Sequence, residues 1–172
     1  MSMRGYAAAV DDSQMHCLAS GDFDEIMELF EADDAVELDK AWDIVFRLVD
    51  AVDAVDAVDA VDAVDAVDAV AAVAAVAARM SILAAAVPVG EALVYGPVML
   101  IGPDFVERIS ARLSVAEDVI NSAWEAVDRS DAYPNAWTTA DDKQWAIDSY
   151  RQFAGLLRNA AVSHCPVAFA IV

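Results

Sequence analysis

The side chains able to do chemistry are few. The chain holds two histidines and two cysteines, and each histidine directly precedes a cysteine, as His16-Cys17 and His164-Cys165. Four such residues could in principle make a zinc site. Neighbouring side chains, however, diverge by about 100° on a helix and flip faces on a strand. One metal therefore struggles to take both members of a pair at tetrahedral distances. The pairs read as partly buried thiols beside incidental imidazoles, and no metal or cofactor is expected. Carboxylate pairs (Asp11-Asp12, Asp33-Asp34, Asp141-Asp142) could support acid–base work. With 30 Asp and Glu in the chain such pairs are commonplace, and like-charge runs are ordinarily solvated faces. The six glycines form neither GxGxxG nor a P-loop, and GxSxG, HExxH and CxxC are missing.

One constellation is more specific. Lys40, Trp42, Tyr95, Tyr133 and Trp137 fall at loop or helix-start positions. Aromatic rings flanking a lysine could line a small polar pocket for a ligand or present a partner surface. The competing assignment makes Trp42 and Trp137 core anchors, with the tyrosine hydroxyls tied to backbone.

The elements that position these residues sit in an unusual composition. The 172 residues carry 10 Lys and Arg against 30 Asp and Glu, a net charge of −20, yet 59% are hydrophobic. Acidic disordered chains are poor in apolar residues, so a folded core is expected. The charge argues against nucleic acid and against anionic membranes, both of which need clustered Lys and Arg. No long apolar run follows the first residues, and the most apolar window, 80–102, is broken by Pro88, Gly90, Glu91, Gly96 and Pro97. A reduced, cytoplasmic protein without a membrane span is the expectation.

Residues 49–78 are ten triplets, seven Val-Asp-Ala and then three Val-Ala-Ala. On a helix a period of three slips about 60° per unit, so the repeat as a whole has no apolar stripe. On a strand it sends valine alternately to both faces. Two states are open, a long helix continuing the one before it or a disordered solvated insert. The helix is favoured because propagation from a nucleated helix is easier than nucleation. A calcium role for the spaced aspartates lacks the glycine turns such sites use. Removing the seven repeat aspartates leaves the other 142 residues at −13 with all ten basic residues, so the domain beneath is still acidic.

Outside the repeat the pattern is mostly helical. Residues 3–10 suggest a first strand. Ser13 and Gly21 bound a short helix, and Asp22 caps a second with Phe23, Ile26, Met27 and Phe30 on one face. Asp39 is expected to cap a third, burying Leu38, Ala41, Trp42, Val45 and Val49 and turning Lys40, Asp43 and Arg47 outward. Residues 93–101 read as a strand interrupted at Gly96-Pro97. Pro103 starts a helix with Phe105, Val106, Ile109 and Leu113 inward. Ser114 and Glu117 form a capping box for a helix burying Ala116, Ile120, Ala123, Trp124 and Val127. Thr139 and Asp142 cap a long helix over 140–161 that buries Trp145, Tyr150, Phe153, Leu156 and Leu157. Residues 166–172 form a near-continuously apolar last strand, expected at the centre of a sheet covered on both faces. The expectation is a single α+β domain over 1–172, interrupted by the repeat: mostly helical, with a small sheet of three or more strands packed against helices.

Several of these segments carry a resemblance. Leu38-Asp39-Lys40-Ala41-Trp42, Tyr95-Gly96-Pro97 and Tyr133-Pro134-Asn135-Ala136-Trp137, with the opening strand, the long helix and the apolar last strand, resemble the YfbM-like family, bacterial domains of unknown function. The likeness covers roughly 1–48 and 81–172 in order. It implies a compact α+β fold and brings no activity, cofactor or catalytic residue. Two functions are then expected to compete. The first is a non-enzymatic, acidic protein-binding module, of an inhibitor or immunity kind, with a basic partner. The second is a small-ligand binder or enzyme using the region of Lys40, Trp42, Tyr95 and Trp137.

Overall fold

The computed structural model describes residues 3–62, 82–113, 116–134 and 137–172. The repeat beyond Asp62 and the pairs 114–115 and 135–136 lie outside them. The described residues form an α+β fold with seven helices and a five-stranded antiparallel sheet. The strands are β1 (Gly5–Ala9), β2 (Val36–Asp39), β3 (Val87–Ala92), β4 (Pro97–Ile101) and β5 (Val167–Ile171), in the order β2-β1-β5-β4-β3.

The last strand is central, as its composition requires. Residues Val167 to Ala170 are all buried, and they divide between two cores. Val167 and Phe169, with Ala7 and Ile101, face one cluster. Ala168 and Ala170, with Ala8 and Val98, face another. The pairings Ala7↔Phe169 and Ala8↔Ala168 keep each face in register.

On the first face lie α3 (Trp42–Asp62), α5 (Pro103–Ser110), α6 (Glu117–Ala126) and α7 (Ala140–Val162), with a short α4 (Ile82–Ala85). Phe46 of α3 sits edge-on to Phe169 at 5.0 Å and to Phe153 of α7 at 5.5 Å, which joins sheet and helices. Thr139 and Asp142 cap α7 reciprocally, and Pro103 opens α5. The second face is covered by α1 (Asp12–Ser20) and α2 (Phe23–Phe30), through Leu18, Ile26, Leu29 and Phe30.

Several expectations are corrected. Asp11, not Ser13, caps α1: its Oδ1 accepts from the Ser13 and Gln14 amides, and the Gln14 side chain accepts from the Asp11 amide. A carboxylate at that point serves the helix dipole as well as the free N–H groups. Gly21 ends α1 in the left-handed conformation, as expected. On α2 the inward position is taken by Leu29, while Phe23 is exposed. Asp39 does not cap α3; it ends β2 at φ 43° and pairs with Gly5, a strand that the alternation of so short a segment did not reveal. Residues 93–101 are not one strand but the turn and second arm of a hairpin with β3. Ala116, not Ser114, is the N-cap of α6; it is exposed, makes no side-chain cap bond, and is not an inward residue. Trp145 is 37% exposed, lying against Trp137 at the surface instead of entering the core.

The repeat is also corrected in part. Val49 and Val52, from its first two units, are fully buried. With Val45 they stand at i, i+4 and i+7, so the 60° slip has not yet carried them off the inner face. The same rotation brings Asp53 inward, where it is only 6% exposed. Arg112 meets it at 2.6 Å.

Two close approaches fix how elements lie on the sheet. A Cβ at Gly5 would stand 2.4 Å from Trp42 Cβ, and at Gly90 (φ 69°) 2.4 Å from the Leu18 carbonyl. Gly5→Ala therefore forces α3 off β1, and urea unfolding should show a loss of about 2–3 kcal/mol. Arg112→Met weakens the compensation of a buried carboxylate. The expected loss is about 1–2 kcal/mol, reduced from the fully buried case because Arg112 is partly exposed. An added Asp53→Ala should recover part of it.

Candidate functional site

The five singled-out residues all lie at one end of the sheet, the end where Gly5 pairs with Ile171 and Asp39. Trp42 starts α3 against Gly5 and stacks on Tyr133 with ring centroids 6.0 Å apart. Tyr133 is held at three points: its amide donates to Asp43 Oδ2 (2.8 Å), its hydroxyl accepts from the Met3 amide (3.1 Å), and its carbonyl accepts from Trp137 Nε1 (3.1 Å). Arg47, expected to face outward, is the clamp for this loop. Its guanidinium donates to Asp43, to the Asp128 carbonyl and to Asp131. Trp42, Tyr133 and Trp137 thus form one contiguous cluster.

Lys40 and Tyr95 share that end of the sheet without joining the cluster by any described contact. Lys40 is half-buried in the turn between β2 and α3. Tyr95, 41% exposed at the hairpin turn, borders a cavity of about 140 Å³ with Gly96, Pro97, Met99, Phe169 and Ile171. That lining is mostly apolar and offers no acid–base pair.

The opposite end of the sheet holds a larger crevice, of about 310 Å³. It opens where the cap of α1 faces the last turns of α7. Its rim carries Asp11, Gln14, Asp34, Asn159, Ser163 and Cys165, and its floor Val10, Leu156 and Ala160. Sequence reasoning missed it, because the only signal was two carboxylate pairs that resembled many others. Both cysteines are free and half-buried. Among the described residues, no three His, Cys, Asp or Glu side chains gather as metal ligands would.

A family model for a domain of unknown function (DUF1877) matches residues 1–170. The chain belongs to that family. No curated protein and no solved structure matches the chain.

Charge separates the two sides of this DUF1877 domain. Among the described residues, eight of the nine Lys and Arg are engaged with the fold itself. They pair with carboxylates (Arg4, Arg47, Arg112, Lys143, Arg151), donate to carbonyls (Arg129, Arg158) or lie over a ring (Arg108). Lys40 is the exception. Between Gly5 and Asp39, by contrast, there are eleven Asp and Glu and no Lys or Arg. Nine of these carboxylates, Asp11 through Asp34, are exposed on the α1–α2 layer and the loop after it. Among the described residues, no helix is long and apolar enough to cross a membrane.

Asp11 belongs both to the crevice and to the α1 cap. The Ser13 hydroxyl and the Gln14 and Ser13 amides hold its carboxyl below the ordinary range. A depressed folded pKa adds stability that is full above the unfolded value near 4 and is lost as pH falls through the folded one. NMR titration of the side-chain carboxyl carbons should place Asp11 below the ordinary carboxylate range. Asp11→Ala should lower Tm at pH 7 and make the approach to acid unfolding shallower.

Proposed function

We propose that the chain is a non-enzymatic acidic module that binds a basic protein partner through its α1–α2 layer, as inhibitor and immunity proteins do. The observation carrying this reading is the run of eleven carboxylates without one Lys or Arg over 5–39, nine of them exposed on that layer and the loop after it, the other two, Glu37 and Asp39, paired with Arg4. An exposed field of one sign steers an oppositely charged protein and rejects like-charged ones. The placement of the charges adds weight. Glu28 stands in the last turn of α2 and Glu31 caps its C-terminus, with no basic residue in that turn. That is the negative end of the helix dipole, where a cation would stabilise. Carboxylates there work against the stability of the helix, which is expected where binding sets the sequence. The family-like motifs fit a YfbM-like protein of the bacterial cytoplasm, where such partners are available.

A second reading, a small-ligand binder or enzyme using Lys40, Trp42, Tyr95 and Trp137, draws on the cavity beside Tyr95. Trp137 Nε1 is taken by the Tyr133 carbonyl and Trp42 stacks on the Tyr133 ring, so the polar groups open to that reading are Lys40, Tyr95 and the buried Trp42 Nε1, which has no hydrogen-bond partner among the described residues.

The test is cross-linked capture from bacterial lysate by the wild type and by the double variant Glu28→Gln/Glu31→Gln. The expected result is a basic protein (pI above about 9) retained by the wild type, released by salt, and strongly reduced with the variant, whose Tm is unchanged or higher. Equal capture by both, or a partner that is itself acidic, contradicts the proposal.

A further inference from the structure

We propose that the crevice between the start of α1 and the end of α7 is an anchor pocket for one long basic side chain, arginine or lysine, of the partner. This rests on the basic-partner reading and goes further by naming where and how the partner is gripped.

The crevice has a divided lining. Its floor is apolar and belongs to the core: Val10 and Ala160 are 1% exposed and Leu156 is 6% exposed. Its rim is polar and acidic, with Asp11, Asp34 and Asn159. A purely apolar ligand would leave the rim carboxylates facing it. A small cation would leave the apolar lining still open to solvent, half-buried Ala9 above all, uncovered. A side chain that lays a methylene stem on apolar surface and keeps a charged head at the edge matches both. The volume of about 310 Å³ is at the small end of ligand sites and takes one such chain.

The rim is ready to accept. Asp11 is bound through Oδ1 to the α1 cap, which locks its orientation and leaves Oδ2 to meet an incoming donor. Asp34, on the loop after α2, is exposed and makes no ion pair among the described residues. The C-terminal end of α7 adds its negative dipole from the other wall. Among the described residues, no Lys or Arg lines the crevice. Asp11 and Asp34 are both members of the acidic layer, so a partner drawn to that layer arrives with its basic side chains at the crevice mouth. A guanidinium is the better fit, since its planar fork can bridge a carboxylate and the Asn159 amide oxygen.

The experiment uses the full ¹⁵N-labelled chain and three probes, Nα-acetyl-arginine amide, methylguanidinium and Nα-acetyl-norleucine amide. They carry head plus stem, head alone and stem alone. Saturable amide shifts concentrated at Asp34, Asn159 and Ser163 are expected with the arginine probe, and binding at least about fivefold weaker with either of the others. Asp34→Asn should abolish the saturable shifts. Asp33→Asn, an equal charge change one residue outside the crevice, should leave them within about twofold. Diffuse shifts across α1 and α2, equal effects of the two substitutions, or equal binding of methylguanidinium would each overturn the anchor. If capture of a basic partner nevertheless succeeds, the wider reading survives and only the anchor fails. If saturable binding appears but no basic partner is captured, the wider reading fails and the crevice reverts to a site for free cations.

Discussion

A central strand with no face left for water imposes most of this architecture. Each side chain from Val167 to Ala170 needs an apolar neighbour, and the two faces ask for different ones. Val167 and Phe169 project into the thick layer of α3 and α7, where Phe46 and Phe153 complete an aromatic contact. Ala168 and Ala170 are small, so the opposite layer can lie close, and two short helices, α1 and α2, suffice to cover it. Those helices spend one face on the sheet. The carboxylates they and their caps carry, Asp11, Asp12, Asp22, Asp24, Glu25, Glu28 and Glu31, are all exposed.

That division explains why charge and fold barely compete. Most of the basic residues hold loops and helix ends on the thick side, as Arg47 does for the Tyr133 loop and Arg158 for the Leu113 carbonyl. The thin side keeps a negative surplus that its own residues do not neutralise. Electrostatic repulsion within such a layer costs stability, which a two-sided core can offset.

Much of the fold was legible because local signals agreed with tertiary need. The Asp22 cap, the Thr139–Asp142 box, Pro103 and the apolar run at 166–172 all predict what forms. The misses share a cause. β2 is four residues long and owes its state to pairing with β1, which no local pattern encodes. Trp145 sits at an inward helical spacing, yet it is exposed and covers the buried Trp137 from outside. The repeat's periodicity averages to nothing over ten units, but Val49 and Val52 use only two of them. The aromatic end was legible as a group because its residues sit in family-like motifs. The crevice was not, since it is made by the cap of one helix meeting the end of another, 148 positions apart between Asp11 and Asn159.

On this reading, recognition charge resides in the α1–α2 layer and not in the repeat. Equal numbers of carboxylates can be neutralised in each: Asp24, Glu25, Glu28, Glu31 and Asp33 in the layer, and Asp56, Asp59, Asp62, Asp65 and Asp68 in the repeat. The decisive measurement is the association rate constant of each variant with the captured basic partner at low ionic strength. Steered encounters are slowed by about tenfold or more when the facing charge is removed. The layer variant should show that loss and the repeat variant less than about a twofold change. Equal slowing, or slowing by the repeat variant alone, would contradict the claim.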